Sequence, residues 1–531
     1  MAEIPLPSTS VPGDRERDGA KVTARQELAR RRWLAAGGER QDRIRRQHDR
    51  GLLTGRERVE LLLDDGSFIP MGSMVHSEEP GQADSTLGGD GAIHGFGTID
   101  GRDVAVHATD PTVKGATAGP ATLRLGRQHE RLAEAGGLAY FDLQQGGGAR
   151  ITDLISSRFA GSGGGGFGIM HARPRRFAFL SAVLGDYYPP WNLVQSDFTV
   201  MTAAARGALT SPLLMELATG DSVTADELGG ISVHREVTGY VDAAVEDEHE
   251  AVRALRRAFT YLPATPFDAP PRVVTGDPPD RVCPHLVDVL PDNPRHPYDV
   301  RHIISQVVDR GSFFELAPDY APNVVAGLGR LDGYTSLILA TQPMAMAGSV
   351  DVRALIKLRR YAGLAETFAL PMLSFLDTPG ALPTKEQEFS RIVHEVYHSA
   401  AARLRRKVPK VALVLRKGIG FAYFALGGSD MEGLTFAWPS ARIAFTGPEP
   451  AARIVHRQLI DAAPDPAVAL RERADEMRDW AAPWTGARLS YLDAVIDPAL
   501  SRSSIIRGLR ALGMGRTDQR VTNSFDRSVA R

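Results

Sequence analysis

The sequence repeats itself. Gly95-Phe96-Gly97-Thr98-Ile99-Asp100-Gly101 is answered by Gly327-Leu328-Gly329-Arg330-Leu331-Asp332-Gly333, a step of 332 − 100 = 232 residues. Both stretches carry Asp-Gly at the tip between strand-like runs, which is a hairpin signal. The same step takes Thr109 and Pro111 to Thr341 and Pro343, Leu123 to Leu355, Gly148 to Gly380 and Val183 to Leu415, with no gap needed. Further upstream, Gly66-Ser67-Phe68 matches Gly311-Ser312-Phe313 at a step of 311 − 66 = 245, so about 13 extra residues fall in the polar stretch near Ser77 to Gly89. Turns, strands and helices agreeing in one register indicate an internal duplication. A chain of 531 residues also exceeds what one core can organise. The boundary is expected in the proline-rich stretch Pro263 to Pro297, giving domains over 21–290 and 291–531 after a disordered tail at 1–20.

Within each copy the order is strand, helix, strand. Asp103 to Ala108 reads as a strand, about Leu123 to Ala135 as a helix, and Leu138 to Leu143 and Phe177 to Leu184 as two further strands. That alternation predicts an α/β fold with a mainly parallel sheet. In the second copy Val411 to Leu415 is an apolar run, Gly418-Ile419-Gly420 punctuates it, and Phe421 to Leu426 follows as a helix. A strand opening through glycines onto a helix start leaves main-chain N–H groups facing one point, where they can hold a negative oxygen. A packing turn is the plain alternative. Duplication would supply two such sites, one per half.

Composition narrows the function. A net charge of −2 argues against a nucleic-acid or membrane surface, and the basic cluster Arg40, Arg43, Arg45, Arg46 and Arg50 is read as a solvated helix face ahead of a polyphosphate site. A lone cysteine, Cys283, leaves no internal disulfide and no cysteine-rich metal site. No run of eighteen apolar residues and no signal-peptide core occur, so a cytoplasmic enzyme is the expectation.

Several motifs then carry a resemblance. They include Arg43 to His48, Arg56 to Asp64, Gly89-Asp90-Gly91, Gly147-Gly148-Ala149-Arg150-Ile151, Thr219-Gly220-Asp221 and Ala340-Thr341-Gln342-Pro343. Pro379-Gly380, Gln387-Glu388, Val408 to Val411, Arg416-Lys417, Ala422-Tyr423 and Phe436-Ala437-Trp438-Pro439 complete the set. Together they resemble the carboxyltransferase (β) subunit of biotin-dependent acyl-CoA carboxylases, over about Arg40 to Leu459. The resemblance implies two tandem crotonase-like (ClpP/crotonase) ββα-superhelix domains and transfer of carboxylate between carboxybiotin and the α-carbon of an acyl-CoA through an enolate. It implies biotin on a separate carrier protein, a biotin carboxylase partner, no metal, and dimers grouped into a hexamer. It assigns the acyl-side oxyanion hole to Gly420, Phe421 and Ala422, and the biotin-side hole to the loop after Leu184, with Gly185, Tyr187 and Tyr188. Gly147 and Gly148 form the first-half strand end, while Phe424, Tyr423, Lys114 and Arg150 are the candidate substrate contacts.

The chain departs from that family at the chemistry. Where members have Gly-Pro-Cys-Ala-Gly-Gly, it has Gly185-Asp186-Tyr187-Tyr188-Pro189-Pro190-Trp191, exchanging glycine donors for bulky residues and for prolines without N–H. Gln145-Gly146 replaces the usual Asp-Ser, and Phe421 replaces a glycine. His394 and Glu395 are further acid–base candidates. The alternatives are therefore a biotin-independent decarboxylase, acyltransferase or lyase on the same scaffold, or a non-catalytic subunit.

Overall fold

A computed structural model describes residues 23–154, 157, 176–293, 296–405, 407–429 and 432–516. The tail expected at 1–20 lies outside them. Contacts divide the chain into two units that meet in sequence at Pro266 and Phe267. The sequence placed residues 267–290 with the first domain, whereas they pack on the second. The amide of Cys283 donates to Ala499 O (2.8 Å), and Leu286 joins the core of the second unit.

In the first unit, helices Ala24–Ala35, Gln41–Asp49 and Gly55–Leu62 precede the sheet, the first and third opened by Thr23 and Thr54 in capping boxes. Arg40 is buried and donates to Leu34 O, Ala35 O and Leu87 O, and Arg43 donates to Thr112 O. Arg40 thus ties its segment into the unit, whereas Arg43, Arg45, Arg46 and Arg50 are exposed. The strands are β1 (Ile69–Met71), β2 (Ala92–Ile99), β3 (Arg102–Thr109), β4 (Ala139–Gly146), β5 (Phe179–Tyr187), β6 (Phe198–Thr202), β7 (Arg206–Gly207) and β8 (Ala243–Val245). The second unit holds β9 (Phe314–Leu316), β10 (Val324–Leu331), β11 (Tyr334–Thr341), β12 (Met372–Thr378), β13 (Lys410–Ile419), β14 (Leu434–Ala437), β15 (Arg442–Ala444) and β16 (Ala494–Val495). Among the described residues each unit is one eight-stranded mixed sheet, β1-β2-β3-β4-β5-β6-β8 with β7 on β5, and β16-β14-β13-β12-β11-β10-β9 with β15 on β13. The first three strands of each pair antiparallel and the rest parallel.

The duplication reaches single hydrogen bonds. Thr109 Oγ1 accepts from the Gln145 amide (2.6 Å), as Thr341 Oγ1 does from the Asp377 amide (2.8 Å). The isolated bridges Ala118↔Ala149 and Val350↔Ala381 repeat as well. The extra residues of the first half lie between β1 and β2 and include the short helix Ala83–Thr86. One step needs correcting. β4 pairs Gln144 with Val183, and β12 pairs Leu376 with Val414, so Val183 matches Val414 and not Leu415. Hydrogen-bond register, which sequence spacing does not report, shortens the step to 414 − 183 = 231 from β5 onward. Pro189, Pro190 and Trp191 are then the counterparts of Gly420, Phe421 and Ala422.

Each Asp-Gly hairpin is clamped the same way. Asp100 and Gly101 (φ 51° and 74°), like Asp332 and Gly333 (55° and 79°), sit in the left-handed region that a two-residue hairpin requires. Their amides donate to Asp64 and to Asp309 respectively. An arginine from the closing helix of each unit ties in behind: Arg256 reaches Asp64 and Leu62 O, Arg502 reaches Asp309 and Val307 O. The amide of Gly101, followed by the Thr98 hydroxyl, holds the Asp64 carboxyl well below the usual carboxylate range. A depressed folded-state value means that the stabilisation is complete above the unfolded-state value of about 4 and is lost as pH falls through the folded one. The gap in melting temperature between wild type and Asp64→Asn should therefore be full at pH 7 and close toward strong acid; a gap independent of pH would contradict the clamp.

The second core packs Val325, Ile338, Phe375, Leu413 and Leu415 of the sheet against Ile303, Ile304 and Val307 from helix Val300–Val307 and Ile505, Ile506 and Leu509 from helix Ser501–Ala511. Each such side chain contributes roughly 1.5–3 kcal/mol on burial.

Candidate functional site

The sequence read Gly418-Ile419-Gly420 as a turn. In the structure β13 continues through Ile419, and a single left-handed residue, Gly420 (φ 63°), turns directly into helix Gly420–Ala425. Glycine at 418 is a packing requirement, because a Cβ there would sit 3.0 Å from the Tyr423 ring. Asp377, fully buried at the end of β12, fixes the exit of β13 by accepting from Arg416 Nε (2.9 Å) and the Lys417 amide (3.1 Å). No side chain caps the helix. The amides of Phe421 and Ala422 meet no acceptor among the described residues. They are first-turn groups that a helix cannot satisfy internally, and so form a main-chain donor pair for a developing oxyanion.

Aromatic surface surrounds that pair. Phe421, Phe424 and Phe445 are all exposed, with ring centroids 6.5 Å apart for Phe421–Phe424 and for Phe421–Phe445. Tyr423 points the other way: it is buried, packs against Gly428, and its hydroxyl lies 3.1 Å from Ser429 Oγ. Its side chain supports the turn and offers no open substrate contact.

The first-half counterpart is shut. Pro189 and Pro190 have no N–H, the Trp191 amide donates to Pro189 O (3.0 Å), and the Tyr188 amide donates to Gly146 O (3.3 Å). A Cβ on Gly148 (φ 72°) would lie 2.0 Å from Tyr188 O, so the Tyr188–Pro189 segment is pressed onto the end of β4. Gly185 stays in β5 as a packing glycine, its Cβ position 2.7 Å from the Gln145 amide carbon. Gln145 Oε1 accepts from Gln47 Nε2 (2.8 Å) and Arg58 Nη2 (2.5 Å), an anchor like that of Asp377 but without charge. Tyr187 packs beside Val183, Leu193 and Met201, and burial pushes its phenol far above the usual value. Burial, with the Asp186 charge second, also raises Tyr188.

The remaining candidates separate cleanly. Gly147 donates to Gly115 O (3.2 Å), whereas the Gly148 N–H meets no acceptor among the described residues. Arg150 is buried and spent on Asp90 (2.8 Å), Asp153 (3.1 Å) and Thr117 O (2.8 Å), so it holds the loop instead of greeting a phosphate. Lys114 is exposed on the loop leaving β3, and its ammonium meets no partner among the described residues. Glu395 is engaged by Arg359 (3.1 Å) and by His394 (3.1 Å), whose ring lies 4.1 Å from that of His398 at a tilt of 50°. A pair that sequence reasoning passed over is His107 and Asp142, which meet across β3 and β4. Among the described residues no group of three His, Cys, Asp or Glu side chains is placed to hold a metal, and no helix is long and apolar enough to cross a membrane.

Comparison with known proteins agrees with this architecture. The model of the carboxyl transferase domain family matches residues 46–526. The carboxyltransferase subunit of propionyl-CoA carboxylase from Haloferax mediterranei is 35% identical over 508 residues, covering 93% of this chain and 96% of that protein. Methylmalonyl-CoA decarboxylase subunit alpha from Veillonella parvula is 33% identical, covering 91% and 94%. The transcarboxylase 12S structure, a hexamer with methylmalonyl-coenzyme A and methylmalonic acid bound, superimposes with a TM-score of 0.87 at 30% identity, covering 94% of this chain and 97% of that one.

Proposed function

The chain belongs to the carboxyl transferase domain family, and from that premise we propose that it is an acyl-CoA carboxyltransferase that moves a carboxylate on or off the α-carbon of a thioester through an enolate. The observation that carries this reading is the open pair of amides at Phe421 and Ala422 on a strand end fixed by Asp377. Charge appears on the thioester oxygen only as the α-carbon becomes carbanionic, so donors aimed there stabilise the transition state more than the substrate. Phe424, with Phe421 and Phe445, walls the acyl side. Assembly into a hexamer is in line with the transcarboxylase 12S structure, and a biotin carboxylase and a carrier subunit as partners are what the family resemblance implies.

The residues that the resemblance assigns to the biotin ureido oxygen do not fit that group. Two prolines and two engaged amides leave no main-chain donor in the first-half turn. That observation favours a second reading, in which the same scaffold works on a malonyl-type thioester without biotin. Incubating the purified chain with malonyl-CoA or methylmalonyl-CoA, with and without biotin, and following CO2 release and carboxybiotin separates the two. Turnover that requires biotin supports the carboxyltransferase, release that ignores biotin supports the decarboxylase or lyase, and silence leaves a non-catalytic subunit.

A further inference from the structure

The first sheet carries a polar row across its middle. In register, His94 pairs with His107, His107 with Asp142, Asp142 with Ser181 and Ser181 with Thr199, so all five share one face of β2 to β6. The matching row of the second sheet is Ala326, Leu339, Ser374, Ala412 and Thr435. The duplicated fold therefore does not need a histidine or a carboxylate at these places. Within the row His107 Nδ1 lies 2.6 Å from Asp142 Oδ1, which also accepts from Gln144 Nε2 (2.5 Å). Asp142 thus fixes the Nδ1–H tautomer and leaves the lone pair on Nε2.

Two other buried histidines of the first half look different. His129 uses both ring nitrogens, on the Tyr140 hydroxyl (3.1 Å) and Gly95 O (2.9 Å), and His234 uses both on Thr238 and Gly207 O. His107 Nε2 meets no partner among the described residues, and the side chain keeps 16% of its surface exposed where Asp142 keeps 8%. His94, fully enclosed, stacks on its ring at 4.4 Å and limits its rotation. His107 stands two residues before the carboxyl end of β3, the end at which parallel sheets bind ligands. Exposed Lys114 follows on the loop leaving that strand, and the open N–H of Gly148 lies past the end of the neighbouring β4.

We propose that His107, oriented by Asp142, is a general base of the first half that removes the α-proton of an acyl thioester. The Nε2 lone pair takes the hydrogen as a proton, the C–H electron pair moves into the carbonyl to give the enolate, and the imidazolium is balanced by Asp142. No oxidant or second substrate is required. The assignment rests on the thioester reading above.

The test is hydrogen exchange at carbon. Propionyl-CoA incubated with the full-length protein in D2O, without biotin, is followed by mass spectrometry for α-deuterium, and CO2 release from malonyl-CoA is measured in parallel. Loss of CO2 itself generates the enolate, so that reaction reports the thioester site without proton abstraction. The double variant His107→Leu/Asp142→Ser installs the pair the second half already carries, and Asp142→Asn keeps the imidazole but removes its charge partner. A general base contributes about 10²–10⁴-fold, so the ratio of exchange to CO2 release should fall at least about 100-fold in the double variant and by less in Asp142→Asn. Exchange absent from wild type that still releases CO2, or undiminished in the double variant, would overturn the assignment. Failure of wild type both to release CO2 and to bind the thioester would instead bring down the function on which it rests.

Discussion

Phe421→Pro should lower kcat on a malonyl-type thioester by about 10²–10³-fold while KM moves little. The substitution deletes one open N–H and copies what the first half has at the matching place, Pro190. Proline is tolerated in the first turn of a helix, where its missing N–H has no acceptor to lose, so helix Gly420–Ala425 should persist. Phe421→Ala is the necessary partner: it removes the exposed ring but keeps the amide. If the donor matters, the alanine variant retains turnover and the proline variant does not. Equal losses in both would assign the effect to the aromatic wall, and no loss in either would remove Gly420 to Ala422 from the chemistry.

The duplication was legible in the sequence because its punctuation is chemically specific. Asp-Gly at 100 and 332 marks a hairpin whose two residues need positive φ, and the apolar runs between such turns are of strand length. Glycine misled where it serves packing. Gly185 and Gly418 read as turns, yet both lie inside strands and are small because Gln145 and Tyr423 press on them. The one-residue change of step at β5 was invisible because register is set by pairing partners, not by spacing along the chain. Arg150 and Tyr423 matched the family's motifs, but motif membership does not say which way a side chain points or what consumes it. The closed first-half turn was the clearer case, since proline lacks a donor in any conformation. His107 and Asp142 lay hidden for the opposite reason: they are 35 residues apart and meet only through parallel strands.

The two hairpin clamps offer a comparison within one molecule, with matched hydrogen bonds in different surroundings. Asp64 and Arg256 remain 30% and 28% exposed, whereas Asp309 and Arg502 are completely buried. Asp309→Ala frees the amides of Asp332 and Gly333 and also leaves the buried Arg502 guanidinium with Asp277, at 3.8 Å, as its remaining carboxylate neighbour. Breaking a buried pair costs about 3–5 kcal/mol, and the longer contact to Asp277 places this case toward the lower end. Asp64→Ala frees the corresponding amides of Asp100 and Gly101, but Arg256 can turn to water and to Asp100, so screening reduces the ion-pair part to below about 1 kcal/mol. For a unit of this size 1 kcal/mol corresponds to roughly 2–4 °C, and the transition of the second unit should fall by roughly 6–20 °C in Asp309→Ala, well beyond the shift in Asp64→Ala. Adding Arg502→Met to Asp309→Ala should recover part of the loss, because it removes the poorly paired charge while filling much of its volume. Equal shifts in the two aspartate variants, or no recovery on neutralising Arg502, would mean that the amide caps alone hold the hairpins and that burial of the second pair is incidental.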